Sequence, residues 1–483
     1  MRRGPEGVFP PGRKRFFTKK RMFPPPTKSD ALAPRLGFKD AYFLVIGSVF
    51  GTGIFFTSGL MAADCPSAPL LIGAWIIGGI FTLMGALTFA ELGTMFPRSG
   101  GPYVYLREGY GKLAAYLYGW GFFWIVGCGG IAALGAGLAE SLVPFGARWA
   151  ASTPLFRTSL GPLAFSVSGG QLTAVGAIIL VSAVNRLGVQ TGVRTQNALV
   201  VARVAGLAIF IAFGLAAALK SGFGAGSPAA RLVQGGPVSL AGFGAAFLAV
   251  LWAYDGWYAA SCTAEEFREP RRILPAALGL GVATLMLLYV LANIVYIMAL
   301  PAADLKGTVG VGAAAASRLF GPAASTLFAG LITVSALGCL SANILFCARV
   351  PFAMARDGLF WSRLRRLDPK TQSPKAALTA QMAGAVLLGL TGSFQALYEY
   401  VVFALTFFFA ATAIAVPVLR RTRPDAIRPY RVWGYPVVPL LFAALNGAIF
   451  ILSAAARPFQ ALASAGVLLL GVPAYFVWLK KTP

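Results

Sequence analysis

A chain of 483 residues that is 57% hydrophobic and 12% charged, with a mean hydropathy of +0.73, is too apolar for a water-soluble domain. It has no histidine, and its five cysteines (Cys65, Cys128, Cys262, Cys339, Cys347) lack metal-ligand spacing. Zinc chemistry and a Ser-His-Asp hydrolase are therefore excluded, and no metal or cofactor is expected. The formal net charge of +25 raises nucleic acid as a partner, but the basic residues are scattered over short loops rather than gathered on one face, which argues against it.

In chain order, residues 1–38 come first, basic and proline-rich (FPPGRKRFFTKKRMFPPPTKSD). No apolar stretch follows the first arginines, so a cytoplasmic tail touching anionic lipid is expected rather than a cleaved signal peptide. Twelve apolar runs follow, at 41–62, 70–95, 113–143, 171–186, 196–219, 240–263, 275–299, 323–348, 376–392, 396–419, 434–456 and 460–479. Most are near the roughly 20 residues that cross a hydrocarbon core. Backbone groups in lipid must be satisfied internally, so these runs are predicted to be helices, and the fold class is an all-α polytopic membrane protein. With the N-terminus inside, 33 of the 41 Lys and Arg residues lie on one side and 7 on the other; Arg203 falls within a span. This bias predicts cytoplasmic termini and an integral plasma-membrane protein.

Polarity is costly in lipid, so Gly and charge inside the spans are the informative residues. GSVFGTGIFF (47–56) places Gly47, Gly51 and Gly53 in the first span, and LWAYDGWYAASC (251–262) places Asp255 and Gly256 in the middle of the sixth. Gly47 and Gly51 also fit a close-packing face. Two interruptions five spans apart point instead to a substrate site between repeats. An odd-numbered repeat must invert, giving a first repeat over 39–219, a second over 240–419, and two appended helices over 434–479. Where helix 1 restarts, the amides of Gly51, Thr52, Gly53 and Ile54 would form an anion site. Where the first half of helix 6 ends, the carbonyls of Trp252, Ala253 and Tyr254 would attract a cation. A carboxylate receptor facing an ammonium receptor suits an α-amino acid.

Five longer motifs carry a family resemblance: IGSVFGTGIF (46–55), FAELGTMFPRSGGPYVYLREGYG (89–111), LWAYDGWYAASCTAEEFREPRRILP (251–275), CLSANILFCARVPFAMARDGLF (339–360) and RPYRVWGYPVVP (428–439). In them the chain resembles the amino acid–polyamine–organocation superfamily, especially the L-type amino acid transporter group and its bacterial relatives. The resemblance implies inverted five-helix repeats, discontinuous helices 1 and 6, and alternating access. It places the amides of Ser48, Gly51, Thr52, Gly53 and Ile54 against a substrate carboxylate, and the carbonyls of Ile46, Val49, Trp252, Ala253 and Asp255 against its ammonium. Trp252 stands where relatives often have a Phe that closes over the substrate, which argues for small side chains; the alternative is an aromatic that only packs between helices. Arg203 stands where relatives often carry Lys, resembling a built-in replacement for a sodium ion. Because Arg stays protonated, it is expected to act as a permanent brace between helices 1, 5 and 8, close to Ser335 and Ser341, without proton coupling; the alternative is snorkelling to an interface.

The cluster EEFREPRR (265–272) reads either as an inner-gate network of Glu265, Glu266 and Arg271, together with Trp252, or as a solvated loop. Heteromeric relatives attach a heavy chain through a Cys in the loop between helices 3 and 4, and residues 144–170 contain none. A monomer without a disulfide-linked heavy chain, in a bacterial inner membrane, is therefore expected. The expected function is uniport or exchange of neutral L-amino acids. The alternative within the superfamily is a cationic amino acid or polyamine carrier, or a proton-coupled one. A channel filter is absent, and no nucleophile–base pair supports an enzyme.

Overall fold

The computed structural model describes residues 32–146, 154–160, 163–220, 231, 235–300, 302–308, 310–390, 394–456 and 458–481. The basic tail up to residue 31 lies outside the described residues. The first predicted span is two helices, α1 (Phe38–Val49) and α2 (Gly53–Asp64), separated by Phe50, Gly51 and Thr52. The second is α3 (Ala68–Met95), and the short α4 (Pro102–Tyr110) follows it. The third span runs from α5 (Lys112–Gly121) through a π-helical stretch, Phe122–Gly129, into α6 (Gly130–Ser141). Part of the 144–170 loop is not coil: β1 (Pro154–Leu160) and β2 (Leu163–Ser168) pair as an antiparallel hairpin. Ser168 and Gln171 then form a capping box that starts α7 (Gly169–Arg186).

The fifth span is α8 (Val189–Lys220). The sixth, like the first, is divided: α9 (Leu240–Ala253) stops, and α10 (Ala259–Cys262) resumes after a turn in which Gly256 has φ +99°. A left-handed φ of this kind favours glycine. Next come α11 (Pro270–Ala299), α12 (Ala302–Leu305), α13 (Val311–Phe320), α14 (Pro322–Cys347) and α15 (Arg349–Arg356). The last spans are α16 (Lys375–Gly389), α17 (Phe394–Thr422), α18 (Val437–Ala456) and α19 (Pro458–Lys481). Among the described residues nine helical stretches are long and apolar enough to cross a membrane. The other three expected spans are α7, α9 with α10, and α16, whose helices have at most 18 residues.

The burial pattern is that of a membrane protein. Leu180, Phe213, Leu327, Leu452 and Leu470 are exposed on the outside, while Arg203, Arg349, Glu91 and Glu266 are buried inside. Apolar residues face lipid, and charges are kept where protein can pair them. At the centre, α1 packs on α8, α11 and α14, while α2 packs on α9. Gly53 permits that second approach, since a Cβ there would stand 2.9 Å from the Ala253 Cα.

Candidate functional site

The two interruptions meet at one cavity. It is lined by Ser48, Val49, Gly51, Thr52 and Gly53 from the first, and by Trp252, Ala253 and Asp255 from the second. Its volume is about 30 Å³, far below the roughly 300–1,000 Å³ of a formed ligand pocket, so the walls must move apart to admit an amino acid.

The chain prepares each end of the cavity differently. Ahead of the first break the carbonyls are already used. Ile46 accepts the Phe50 amide at 2.8 Å. Gly47 and Phe50 accept Arg203 Nη2 and Nη1 at 2.9 and 2.7 Å. The Ser48 carbonyl accepts the Cys339 thiol at 3.1 Å and Asn343 Nδ2 at 3.2 Å. Val49 accepts the Gly51 amide at 2.8 Å and the Tyr289 hydroxyl at 3.2 Å. Past the break, the amides of Thr52, Gly53 and Ile54 have no hydrogen-bond partner among the described residues. They open at the positive end of α2 and so attract an anion.

At the second break the polarity is reversed. The Val250 and Trp252 carbonyls take the amides of Tyr254 and Asp255, both at 3.0 Å, and Gly256 accepts the Ser48 hydroxyl at 2.9 Å. The carbonyls of Ala253, Tyr254 and Asp255 have no partner among the described residues. They stand at the negative end of α9.

Several expected residues are placed otherwise. The Ser48 amide lies inside α1, and the Gly51 amide is bonded to Val49. Neither is open to a carboxylate, and the Ile46, Val49 and Trp252 carbonyls are likewise taken. The Tyr254 side chain turns from the cavity to α3, where its hydroxyl donates to the Trp75 carbonyl at 3.1 Å. Ile54 is fully buried and contributes only its amide. Trp252 forms cavity wall and also packs on the Ala132–Ala133 pair.

Arg203 is fully buried rather than snorkelling. Besides the Gly47 and Phe50 carbonyls, Nη1 donates to the Ser335 carbonyl at 3.1 Å. The guanidinium thus joins α8, α1 and α14 at the point where the end of α1 concentrates negative potential. The Ser335 hydroxyl bonds its own helix at Leu331 instead. Ser341 is not part of this cluster: its hydroxyl accepts from Asn185 Nδ2 on α7 at 3.2 Å.

The basic loops carry a second polar assembly. Glu265 makes a two-armed pair with Arg356 at 2.7 and 2.8 Å and also accepts the Ser99 and Leu32 amides. Burial alone would raise the Glu265 pKa, but the Arg356 guanidinium and those amides hold it below the usual glutamate value. Glu266 pairs with Arg349 at 2.8 and 3.2 Å, both side chains buried. Arg271 is exposed and joins neither pair; the cations come from α15. A loop carboxylate finds its partner through tertiary packing, and residues 83 and 91 positions away win over the neighbour in sequence. Beside them, Asp357 pairs with Arg107, and Glu91 holds Arg420 at 2.6 Å.

Cys339, Asn343, Val126, Leu134 and Val401 also form wall and were missed from sequence. A polar Asn inside an apolar span was the available signal for Asn343. Among the described residues no cluster of His, Cys, Asp and Glu could hold a metal.

Spanning helices with two interruptions facing across one buried cavity define a carrier of the permease class. The comparisons then give the family. A model of the family described as "Amino acid permease" matches residues 36–472, and the chain belongs to that family, within the amino acid–polyamine–organocation superfamily and close to the L-type group. The chain is 32% identical over 432 residues to the serine/threonine exchanger SteT of Bacillus subtilis (strain 168), covering 88% of this chain and 92% of that one. It is 28% identical over 435 residues to the human b(0,+)-type amino acid transporter 1, covering 90% and 85% respectively. Against the mouse large neutral amino acids transporter small subunit 2 it is 28% identical over 448 residues, covering 92% and 81%. The protein is an integral membrane amino acid transporter.

Proposed function

We propose that this transporter moves small neutral L-amino acids by exchange or uniport, without proton coupling, through alternating access. The observation that carries the reading is the opposed backbone polarity of one cavity. The open amides of Thr52, Gly53 and Ile54 face the substrate carboxylate, and the open carbonyls of Ala253 and Asp255 face its ammonium. The indole of Trp252 in the cavity wall favours a small side chain, in keeping with the serine/threonine exchanger among the relatives. Arg203 supplies a fixed positive charge that needs no ion or proton to renew it.

In this reading residues 39–219 and 240–419 are inverted repeats, with 434–479 appended. The basic face is cytoplasmic, carries both termini and belongs to a bacterial inner membrane. The Glu265–Arg356 and Glu266–Arg349 pairs close the cytoplasmic route and part when the carrier opens inward. The chain works as a monomer, with no disulfide-linked heavy chain.

The test is counterflow in liposomes reconstituted with the purified protein, across a panel of amino acids, with and without a proton gradient. Exchange of small neutral amino acids, unchanged by the gradient, is expected. Uptake confined to cationic amino acids or polyamines, or driven by the gradient, would overturn the reading.

A further inference from the structure

Outside the residues of the two breaks, the cavity wall is apolar except for Cys339 and Asn343, which stand beside the Ser48 carbonyl. Asn343, on α14, turns its Nδ2 into protein, donating to the carbonyls of Cys339 at 2.9 Å and Ser48 at 3.2 Å. Those two acceptors fix which way round the amide sits. Its Oδ1 accepts no hydrogen bond among the described residues, yet it is not among the polar atoms fully enclosed by protein. The open space beside Asn343 is the cavity, whose wall it forms. The same wall includes Val126, Leu134, Val401 and Trp252. The Cys339 thiol is engaged with the Ser48 carbonyl.

We propose that Asn343 is a specificity-determining residue: its Oδ1 accepts the hydroxyl proton of the substrate side chain, selecting serine and threonine over alanine and valine. The assignment rests on the reading of this cavity as the amino acid site. Thr52 lies at the amide end and Asp255 at the carbonyl end, where carboxylate and ammonium are held. Asn343 is the polar side chain left for the third substituent on the substrate's Cα. An aliphatic side chain entering here strips water from Oδ1 and returns no donor. Leaving a buried acceptor unmet is unfavourable. Threonine and valine have nearly the same shape, so the hydrogen bond alone separates them.

A merely structural Asn343, holding the Ser48 carbonyl through Nδ2, would weaken all substrates alike. The experiment therefore reads a ratio. Proteoliposomes take up labelled L-alanine, and half-inhibiting concentrations of L-threonine and L-valine are measured for the wild type, Asn343→Leu and Asn343→Asp. In the wild type threonine should compete about tenfold or more better than valine, the factor that about 1.4 kcal/mol gives. Asn343→Leu should bring the ratio close to one while alanine uptake persists. Asn343→Asp keeps an acceptor and should keep the preference for threonine even where total uptake falls. If the leucine variant does not fold, Asn343→Ala gives the same ratio. Wild-type uptake with no preference for threonine, or a preference unchanged in Asn343→Leu, would overturn this assignment alone. Absence of any neutral amino acid uptake by the folded wild type would overturn the site reading and this assignment with it.

Discussion

The breaks in the first and sixth spans look alike in sequence, yet they present opposite charge to the cavity. Both place glycine in mid-span, both stop a helix and both restart it. At the first, every carbonyl from Ile46 to Phe50 has a donor, two of them from Arg203. Past them, the amides of Thr52, Gly53 and Ile54 and the Gly51 carbonyl are open among the described residues. At the second, the carbonyls of Ala253, Tyr254 and Asp255 have no donor among the described residues. Arg203 thus takes up part of the negative end of α1, while the end of α9 keeps open carbonyls, and on the proposed reading this contrast orients a zwitterionic substrate.

Removing that guanidinium should have the largest effect. Arg203→Ala strips the donors from the Gly47, Phe50 and Ser335 carbonyls, and each unmet group costs roughly 1–3 kcal/mol. Counterflow should be abolished and the melting temperature in detergent lowered. Arg203→Lys keeps a cation with three donors and should retain measurable transport. A fully active alanine variant would remove the brace from the comparison.

Glycine substitutions sharpen the contrast with a smaller effect. A Cβ at Gly256 would meet the Ser48 carbonyl oxygen at 2.7 Å, and the φ of +99° adds strain. A Cβ at Gly51 would meet the Cys339 Sγ at 2.9 Å. The first obstacle is backbone; the second is a side chain that can be trimmed. Gly256→Ala should therefore lower counterflow about tenfold or more, which Cys339→Ala leaves unrepaired, whereas Cys339→Ala should restore much of the smaller loss in Gly51→Ala. Equal losses with no rescue would mean that the two breaks are not built differently.

Glycine and charge in mid-span show where helices 1 and 6 stop and that Arg203 matters, because these residues are costly in lipid wherever the helices rotate. Rotation itself is not encoded by hydropathy. Hence Ser341 reads as a neighbour of Arg203 but meets Asn185 on another helix. The family resemblance sets the Ile46 and Val49 carbonyls against the ammonium, but the Tyr289 hydroxyl and the Phe50 and Gly51 amides that occupy them depend on packing and on the path of the chain through the break. The hairpin β1–β2 left no apolar run, so it was invisible to a reading based on membrane spans.

The basic face offers the finest comparison, between two adjacent glutamates. Glu266 and Arg349 are both almost fully enclosed, while Glu265 keeps 16% of its side chain accessible. Taking one partner from a buried pair leaves an uncompensated charge, at a cost of about 3–5 kcal/mol. Glu266→Gln should thus lower the melting temperature more than Glu265→Gln. The smaller effect has a pH signature. Because Arg356 and two amides hold the Glu265 pKa below its ordinary value, the folded state binds its proton less readily than the unfolded chain. The stabilisation is fully present above the unfolded value of about 4.3 and is lost as pH falls through the lower folded value. A protonated Glu265 resembles glutamine, so the melting-temperature gap between wild type and Glu265→Gln should be constant near neutrality and shrink below about pH 4. A gap that stays constant through that range would show that the carboxylate's charge contributes nothing to closing this face.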